Sequence, residues 1–228
     1  MKSQTAIQIA AALLIIVQSF AFGETRTIGG NETKYQGTKN ADADKLVIQA
    51  RVELYKHGNV QNAIRLFTKA LELDPRFVEA MDDLGTCYRR TGEYEKAIEC
   101  YKRSIAIFPK GAFAHQNMAV AYGLQKKYEL AISEYNIVKE IDPSDPESFY
   151  GISEVSIKKG DYSTAIFNAK VAIRLYQEAK SPLLGDAEQL LATAYRGCGD
   201  AVNAKFWSEM AARHKTPIDS EMKKLVPQ

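Results

Sequence analysis

Between residues 44 and 218, apolar side chains recur at helical spacing in successive stretches of about a dozen residues, and no stretch alternates as a strand does. The clearest two stretches lie on either side of Gly92-Glu93. A glycine accepts the left-handed conformation that ends a helix, and an acidic residue suits the start of the next one. This pattern predicts an all-α chain built from helix–turn–helix units.

A fixed period joins these units. Pro75, Pro109 and Pro143 stand 34 residues apart and close the phrases LELDP, IAIFP and KEIDP. Proline ends a helix because it cannot continue the hydrogen-bond ladder, and a period of this length is typical of a repeat array. A fourth unit lacks the closing proline, and a fifth follows a five-residue insertion. The predicted units cover residues 44–77, 78–111, 112–145, 146–179 and 185–218.

The residues inside the period indicate a family. The second unit carries Leu84-Gly85, Tyr88, Ala97, Tyr101 and Pro109 at its key columns. It resembles the tetratricopeptide repeat (TPR), and the resemblance extends over residues 44–218. The resemblance implies a right-handed superhelical solenoid of about five repeats that binds proteins rather than performing chemistry.

Four positions carry further expectations about local structure. Gly85 is expected to face Ala97 where the two helices of the second unit cross. Arg51 stands where a small residue is expected, so the first unit departs from the repeat pattern. Lys126 replaces the turn glycine, and a left-handed lysine costs about 1 kcal/mol. Ser181-Pro182 fits the N-cap and first position of the fifth unit's first helix.

The N-terminus differs from the array. Lys2 precedes an apolar run at residues 6–17, and small residues at Ala21 and Gly23 follow, which predicts a signal peptide at residues 1–23. An uncleaved membrane anchor is the alternative. Residues 24–43 are predicted to be a flexible leader, and residues 219–228 a C-terminal tail. We therefore expect export, to the periplasm if the protein is bacterial and otherwise by secretion, with no membrane span after cleavage.

Composition narrows the class of partner. The chain has 30 basic and 28 acidic side chains mixed along its length, with a net charge of +2. Because no basic block occurs, we expect no nucleic-acid partner. Cys87 and Cys100 are interpreted as buried apolar fillers, with a disulfide between them as the alternative, and Cys198 as a partly exposed thiol.

The sequence offers no chemistry. No pair of histidines has metal-ligand spacing, and no phosphate-binding glycine loop occurs, so no catalytic residue, metal or cofactor is predicted. His115 is interpreted as a packing residue, His57 as a helix-end residue and His214 as a residue near the frayed end. The regularly spaced tyrosines, including Tyr135, are interpreted as core residues.

The partner surface is predicted on the first helices, which line the concave side of such a solenoid. Aromatic and arginine side chains are favoured interface anchors. The candidate partner-binding residues are Arg89, Arg90, Phe113, Gln116, Val120, Tyr150 and Glu154.

The sequence therefore predicts a non-enzymatic interaction module, an exported scaffold or assembly factor that binds a protein or peptide on its concave face. The alternative is a structural array of the cell envelope that self-associates through an end face.

Overall fold

The computed structural model describes residues 37–214, and these residues form α-helices with one π-helical turn and no strand. The helices are α1 (Ala41–Arg51), α2 (Val60–Leu73), α3 (Val78–Thr91), α4 (Tyr94–Ile107), α5 (Ala112–Leu124), α6 (Tyr128–Ile141), α7 (Pro146–Lys159), α8 (Tyr162–Glu178), α9 (Leu184–Gly197) and α10 (Ala201–His214). The signal peptide predicted at residues 1–23 and the tail at 219–228 lie outside the described residues. So does most of the predicted leader.

The described chain divides into two compact units, with the boundary between Ala80 and Met81. In the first unit, α1 and α2 pack on each other. Helix α1 begins at Ala41, inside the stretch predicted as leader, because the Asn40 side chain accepts hydrogen bonds from the first backbone amides of the helix. The Asn40 amide also donates to the Leu73 carbonyl oxygen, at 3.2 Å, and so ties the start of α1 to the end of α2.

A π-helical turn at Val52–Lys56 extends α1. It begins directly after Arg51, the residue that departs from the repeat pattern, and its Leu54 side chain is buried. A π-turn accommodates one more residue per turn than an α-helix. The residue pattern of the first repeat gives no signal for this π-turn.

In the second compact unit, consecutive helices from α4 to α10 pack on one another.

The first helices of the repeats end in the turns that the sequence predicts. Gly160 closes α7 with φ of 84°, and the Asp161 carboxylate then accepts from the Thr164 amide at 3.1 Å to start α8. Lys126 adopts φ of 61° at the equivalent turn, as the missing glycine predicts.

Tyrosine rings occupy the space left by small residues on the facing helices. A Cβ atom built on Gly85 would lie 2.6 Å from the Tyr101 ring, which is fully buried. The sequence paired Gly85 with Ala97, and the atoms nearest to such a Cβ atom belong instead to Tyr101, one turn further along α4. Gly151 on α7 leaves room for the buried Tyr135 ring in the same way.

The insertion before the fifth unit folds differently from the expectation. Helix α9 begins at Leu184, so Ser181 and Pro182 precede it in a turn. The Ser181 hydroxyl accepts from the Leu183 amide, at 3.2 Å, and not from an amide inside the helix. The prediction that Ser181 caps α9 was wrong, since the side chain is already used by the turn itself.

All three cysteines carry free thiols, and their burial differs. Cys87 and Cys100 are buried, which confirms their interpretation as fillers, and the alternative disulfide between them is absent. Burial raises the pKa of the Cys87 thiol to about 12 and that of the Cys100 thiol to about 11. Cys198 is exposed at the end of α9.

This difference predicts the reactivity of the thiols. Because only the thiolate reacts with a disulfide reagent, we expect Ellman's reagent to label Cys198 quickly in the native protein and to leave Cys87 and Cys100 intact. In guanidinium all of the thiols should react. Rapid native labelling that survives the Cys198→Ser change would contradict the buried positions of the other two.

Candidate functional site

The first helices of the later repeats form one continuous surface. Helix α7 contacts both α5 and α9 directly, in addition to the second helices packed between them in the chain. We use the name first-helix face for the surface that α3, α5, α7 and α9 present through the seven candidate residues and their neighbours. The candidates sit on α3 (Arg89, Arg90), α5 (Phe113, Gln116, Val120) and α7 (Tyr150, Glu154).

Exposure separates Arg90 from the other candidates. The Arg90 side chain is exposed, and the remaining six are half-buried. Half-buried polar and aromatic side chains are partly fixed by their neighbours, so they lose less conformational freedom on binding than fully exposed ones. Their individual surroundings decide which of them is available to a partner.

Arg89 is engaged with the core. The Tyr101 hydroxyl lies 3.4 Å from the Thr86 hydroxyl. Burial raises the pKa of Tyr101 to about 12, and the positive charge of Arg89 opposes that rise. Arg89 therefore lies near a buried phenol, and its own Nε atom is buried, so truncating it would affect stability as well as binding.

Gln116 links two units. Its amide donates to a carboxylate oxygen of Asp145, at 3.1 Å. Asp145 is the N-cap of α7 and accepts from the Ser148 amide at 2.9 Å. The bond from α5 to the start of α7 fixes the spacing of these two helices at the first-helix face.

Tyr150 packs edge-on against Tyr176 of α8, with ring centroids 6.5 Å apart and an interplanar angle of 72°. The Tyr176 hydroxyl donates to Glu147 at 2.6 Å. The Tyr150 hydroxyl has no hydrogen-bond partner within residues 37–214. Burial raises the pKa of Tyr150, and the negative charge of Glu154 raises it further, so this phenol stays protonated and able to donate.

Negative charge gathers around these tyrosines. The pKa of the buried Tyr135 hydroxyl is raised first by burial and then by Glu154 and Glu147, while Arg89 opposes the rise. Asp145 acts on Tyr135 and Tyr176, and Asp186 acts on Tyr150. The hydroxyls of Tyr135 and Tyr176, on the second helices α6 and α8, therefore lie near carboxylates of the first-helix face.

The sequence reasoning missed the acidic residues Asp145, Glu147 and Asp186. One signal was available: Tyr135 and Tyr176 occupy core columns where phenylalanine packs equally well. A buried tyrosine hydroxyl normally requires a polar partner, so these positions indicate polar side chains on the facing helix.

Glu154 forms an ion pair with Lys158, one turn further along α7, at 2.7 Å. Both side chains are half-exposed, at 46% and 44%, so the pair contributes about 0–1 kcal/mol and opens readily. Val120 lies against the core cluster that includes Tyr122 and Val155, and Phe113 is half-buried at the start of α5.

His115 makes two polar contacts in addition to packing in the core. It is buried, and its Nδ1 atom lies 2.7 Å from a Glu134 carboxylate oxygen, while Nε2 lies 3.2 Å from the Pro109 carbonyl oxygen. Both neighbours accept hydrogen bonds, so the site is satisfied when the ring carries the extra proton or shares it with Glu134. Burial alone would lower the pKa of His115, and the two hydrogen bonds outweigh it and raise that pKa.

The direction of this shift predicts a pH dependence. A histidine whose folded pKa lies above its unfolded value stabilises the protein fully below the unfolded value, about 6.5. That contribution is lost as the pH rises through the folded pKa. We expect the melting temperature to fall as the pH rises above about 6.5, and the fall to flatten in His115→Gln. An unchanged slope in His115→Gln would contradict the assignment.

The second histidine pair was not foreseen. His214 ends α10, and its Nδ1 atom lies 2.8 Å and 3.0 Å from the two carboxylate oxygens of Glu188. Glu188 is fully buried in α9. The sequence placed His214 near the frayed end of the chain and did not indicate that it is the partner of a buried carboxylate.

Residues 37–214 contain no cluster of three or more histidine, cysteine or acidic side chains arranged to hold a metal ion. Within the same residues, no helix combines the length and apolar character that crossing a bilayer requires.

Comparison with known proteins bears on the fold. A family profile described as the tetratricopeptide repeat matches residues 52–112. Two solved structures titled as crystal structures of MamA are 23% and 21% identical to the chain, with TM-scores of 0.62 and 0.63. They cover 75% and 83% of this chain and 95% and 99% of their own.

A thermophilic TPR protein from Thermus thermophilus is also similar, at 21% identity and a TM-score of 0.63. The match covers 79% of this chain and 95% of that one. The chain has a tetratricopeptide-repeat fold. This confirms the predicted all-α repeat solenoid, and a TPR fold is suited to protein–protein interaction. Comparison with curated protein sequences gives no match.

Proposed function

We propose that this TPR chain is a non-enzymatic scaffold that binds a partner protein or peptide on the first-helix face. The observation that carries the proposal is the direct contact of α5, α7 and α9, which makes one surface from three repeats. The candidate contacts on it are Arg89, Arg90, Phe113, Gln116, Val120, Tyr150 and Glu154. An extended partner segment lying along this surface would contact the repeats that contain α5, α7 and α9.

The surroundings of the candidates decide which variants test binding without disturbing the fold. Arg89 is partly buried near Tyr101, and Tyr150 packs on Tyr176, so truncating either would loosen the core. Arg90 is exposed, and Gln116→Ala removes one hydrogen bond to Asp145, at a cost of about 1 kcal/mol, so both changes are milder.

We expect Arg90→Glu with Gln116→Ala to weaken capture of the native partner by at least about tenfold, since a reversed charge at an interface repels the group it met. The matched control is Arg103→Glu with Asn136→Ala, the same changes at exposed positions of the second helices α4 and α6. Pull-downs from the source cells and circular dichroism measure capture and helicity. Loss of capture in the control but not in the test variant would contradict the proposal.

A self-associating array is the second candidate, and a specific surface favours it. Val202 and Phe206 on α10 are 81% and 52% exposed, and the Phe206 ring packs edge-on against Trp207 with centroids 5.3 Å apart. Exposed apolar side chains grouped on one helix are typical of contact surfaces. Phe206→Lys should abolish any concentration-dependent association seen by analytical ultracentrifugation. Phe167→Lys, at a phenylalanine on α8 that is 65% exposed, should not.

Export completes the proposed function. The charged start and apolar run of residues 1–23 support cleavage after the small residues at its end, and hence a periplasmic or secreted protein. N-terminal sequencing of the protein from its own cells should give Phe22 or Glu24 as the first residue. An intact Met1 in the membrane fraction would favour the anchor.

A further inference from the structure

Two outward positions of the second helices change character in the last two repeats. The sixth residue of the second helix is Arg65 in α2, Glu99 in α4 and Ser133 in α6, but it is Phe167 in α8 and Phe206 in α10. All of these side chains are exposed. A polar position of the outer surface is therefore aromatic in two consecutive repeats.

The thirteenth residue of the second helix changes in the same two repeats. It is Glu72 in α2, Ala106 in α4 and Glu140 in α6, but it is Arg174 in α8 and Arg213 in α10. These side chains are exposed as well. Residues seven apart lie on the same side of a helix. Helices α8 and α10 therefore each present a phenylalanine and an arginine on one outward side.

The two helices present these side chains in the same direction. Helix α9 packs against both α8 and α10, and equivalent positions of consecutive repeats lie on the same side of a solenoid. Phe167 is 65% exposed and Phe206 is 52% exposed, and Val202, one turn before Phe206, is 81% exposed. We use the name second-helix patch for the surface formed by Phe167, Val202, Phe206, Arg174 and Arg213. Exposed apolar side chains grouped in this way are typical of contact surfaces.

We propose that the second-helix patch docks the protein on the surface of an anionic lipid bilayer. Phenylalanine side chains bind in the headgroup region of a bilayer, and lysine or arginine side chains beside them are attracted to anionic lipids. The contact is peripheral, and it goes beyond the proposed function because it does not involve the first-helix face.

The charges on α8 and α10 favour an anionic surface. The exposed charged side chains of these two helices are four cations and two carboxylates: Lys170, Arg174, Lys205, Arg213, Glu178 and Glu209. Glu178 lies 4.0 Å from Arg174, and the Lys170 ammonium lies 5.7 Å from the centre of the Tyr195 ring. Within residues 37–214, Lys205 has no polar partner and Arg213 contacts only the Met210 sulfur atom, at 4.0 Å. Lys205 and Arg213 are therefore free to meet lipid phosphates, and Glu209 opposes one of them.

A bilayer fits this patch better than a folded partner does. Protein interfaces are packed as densely as protein interiors, and their anchors fill pockets of matching shape. The two phenylalanines project from separate helices, each more than half exposed, and a bilayer accepts such side chains without a matching surface. A second copy of the chain and an acidic protein are the other occupants that the experiment separates.

Trp207 reports contact at the patch directly. It is the only tryptophan of the chain, and its ring packs edge-on against Phe206 with centroids 5.3 Å apart. Bromine atoms on lipid acyl chains quench a tryptophan only when they lie close to it. We expect vesicles of brominated phosphatidylcholine and phosphatidylglycerol in equal parts to quench Trp207 in the full chain. Vesicles without phosphatidylglycerol should quench it at least about threefold less, and so should anionic vesicles in about 0.5 M salt.

The first variant removes the aromatic side chains. Phe167→Ser with Phe206→Ser introduces at both positions the residue that α6 has there, Ser133. At the lipid concentration that gives half-maximal quenching of the parent, we expect quenching to fall at least about threefold. The matched control is Leu124→Ser with Leu130→Ser, at apolar side chains of α5 and α6 that are 45% and 48% exposed, and its quenching should stay within about twofold of the parent. Circular dichroism checks that both variants are folded.

The second variant tests the charge. Lys205→Gln with Arg213→Gln should lower quenching in the anionic vesicles at least about threefold, since each cation near an anionic membrane contributes to the affinity. Its control is Lys102→Gln with Arg103→Gln, which removes the same charge from exposed positions of α4 and should leave quenching within about twofold of the parent.

The apolar run at residues 6–17 does not confuse this test. That run can bind vesicles by itself, but quenching requires lipid beside Trp207. A chain that sediments with the vesicles while Trp207 stays unquenched therefore overturns the inference. So do equal quenching by vesicles without phosphatidylglycerol and equal losses in the control variants. If quenching is absent, sedimentation of the lipid-free protein and of Phe167→Ser with Phe206→Ser shows whether the patch instead binds a second copy.

Discussion

Gly151→Ala should destabilise the protein by about 1–3 kcal/mol, although alanine is the better helix former. The added methyl group would overlap the Tyr135 ring, and because that ring is buried, the ring or the helix must shift to relieve the overlap. Gly85→Ala meets the fully buried Tyr101 ring and should have an effect of the same sign. Urea unfolding followed by circular dichroism measures both.

Gly123→Ala is the matched control because Gly123 is also a buried helical glycine. Its added methyl group would lie 3.6 Å from a Val155 methyl carbon, an ordinary contact. We expect this variant to be as stable as the parent or slightly more stable, since alanine restricts the unfolded chain. If Gly123→Ala and Gly151→Ala destabilise the protein equally, the tyrosine rings do not set the small-residue requirement.

His214→Ala should lower the free energy of unfolding by about 1–3 kcal/mol. It removes the hydrogen-bond partner of both carboxylate oxygens of Glu188, which is fully buried. The adjacent Arg213 is exposed, so Arg213→Ala should change stability by less than about 0.5 kcal/mol.

A double-mutant cycle isolates the pair. In the Glu188→Gln background no buried charge remains, so the further change His214→Ala should cost much less than it does in the parent. Additive effects of the two changes would show that His214 stabilises α10 by packing alone, and would contradict the ion pair.

The sequence predicted the repeat fold because that fold depends on local signals at a fixed period. Helical spacing, a turn glycine and a closing proline each act within a few residues, so reading them along the chain is sufficient. Lys126 occupies the position of the turn glycine in the other repeats, and it adopts the left-handed conformation that the turn requires.

The errors concern side chains that meet across the fold. The column positions placed Gly85 near Ala97, but the length of the Tyr101 side chain decides which atoms fill the gap. Similarly, His214 joins Glu188 over 26 residues of sequence, and no periodicity marks such a pair. The π-turn at Val52–Lys56 also has no local signal.

The candidate site was predictable only to the level of helix and column. Repeat register indicates that Arg90, Gln116 and Glu154 lie on first helices, and the structure has them there. Register does not indicate that Arg89 lies near the Tyr101 hydroxyl, or that Asp145 and Asp186 bring negative charge to the tyrosines of the same face. Those features depend on side-chain positions that repeat columns do not describe.

The central claim is that the partner lies on the first-helix face, and site-specific photo-crosslinking in the source cells tests it most directly. Benzoylphenylalanine at Gln116 or Val120 should crosslink to a common partner. At Glu99 or Asn136, on exposed positions of the second helices, it should give none. Crosslinking of the same partner from Glu99 and Asn136, with none from Gln116 and Val120, would contradict the account.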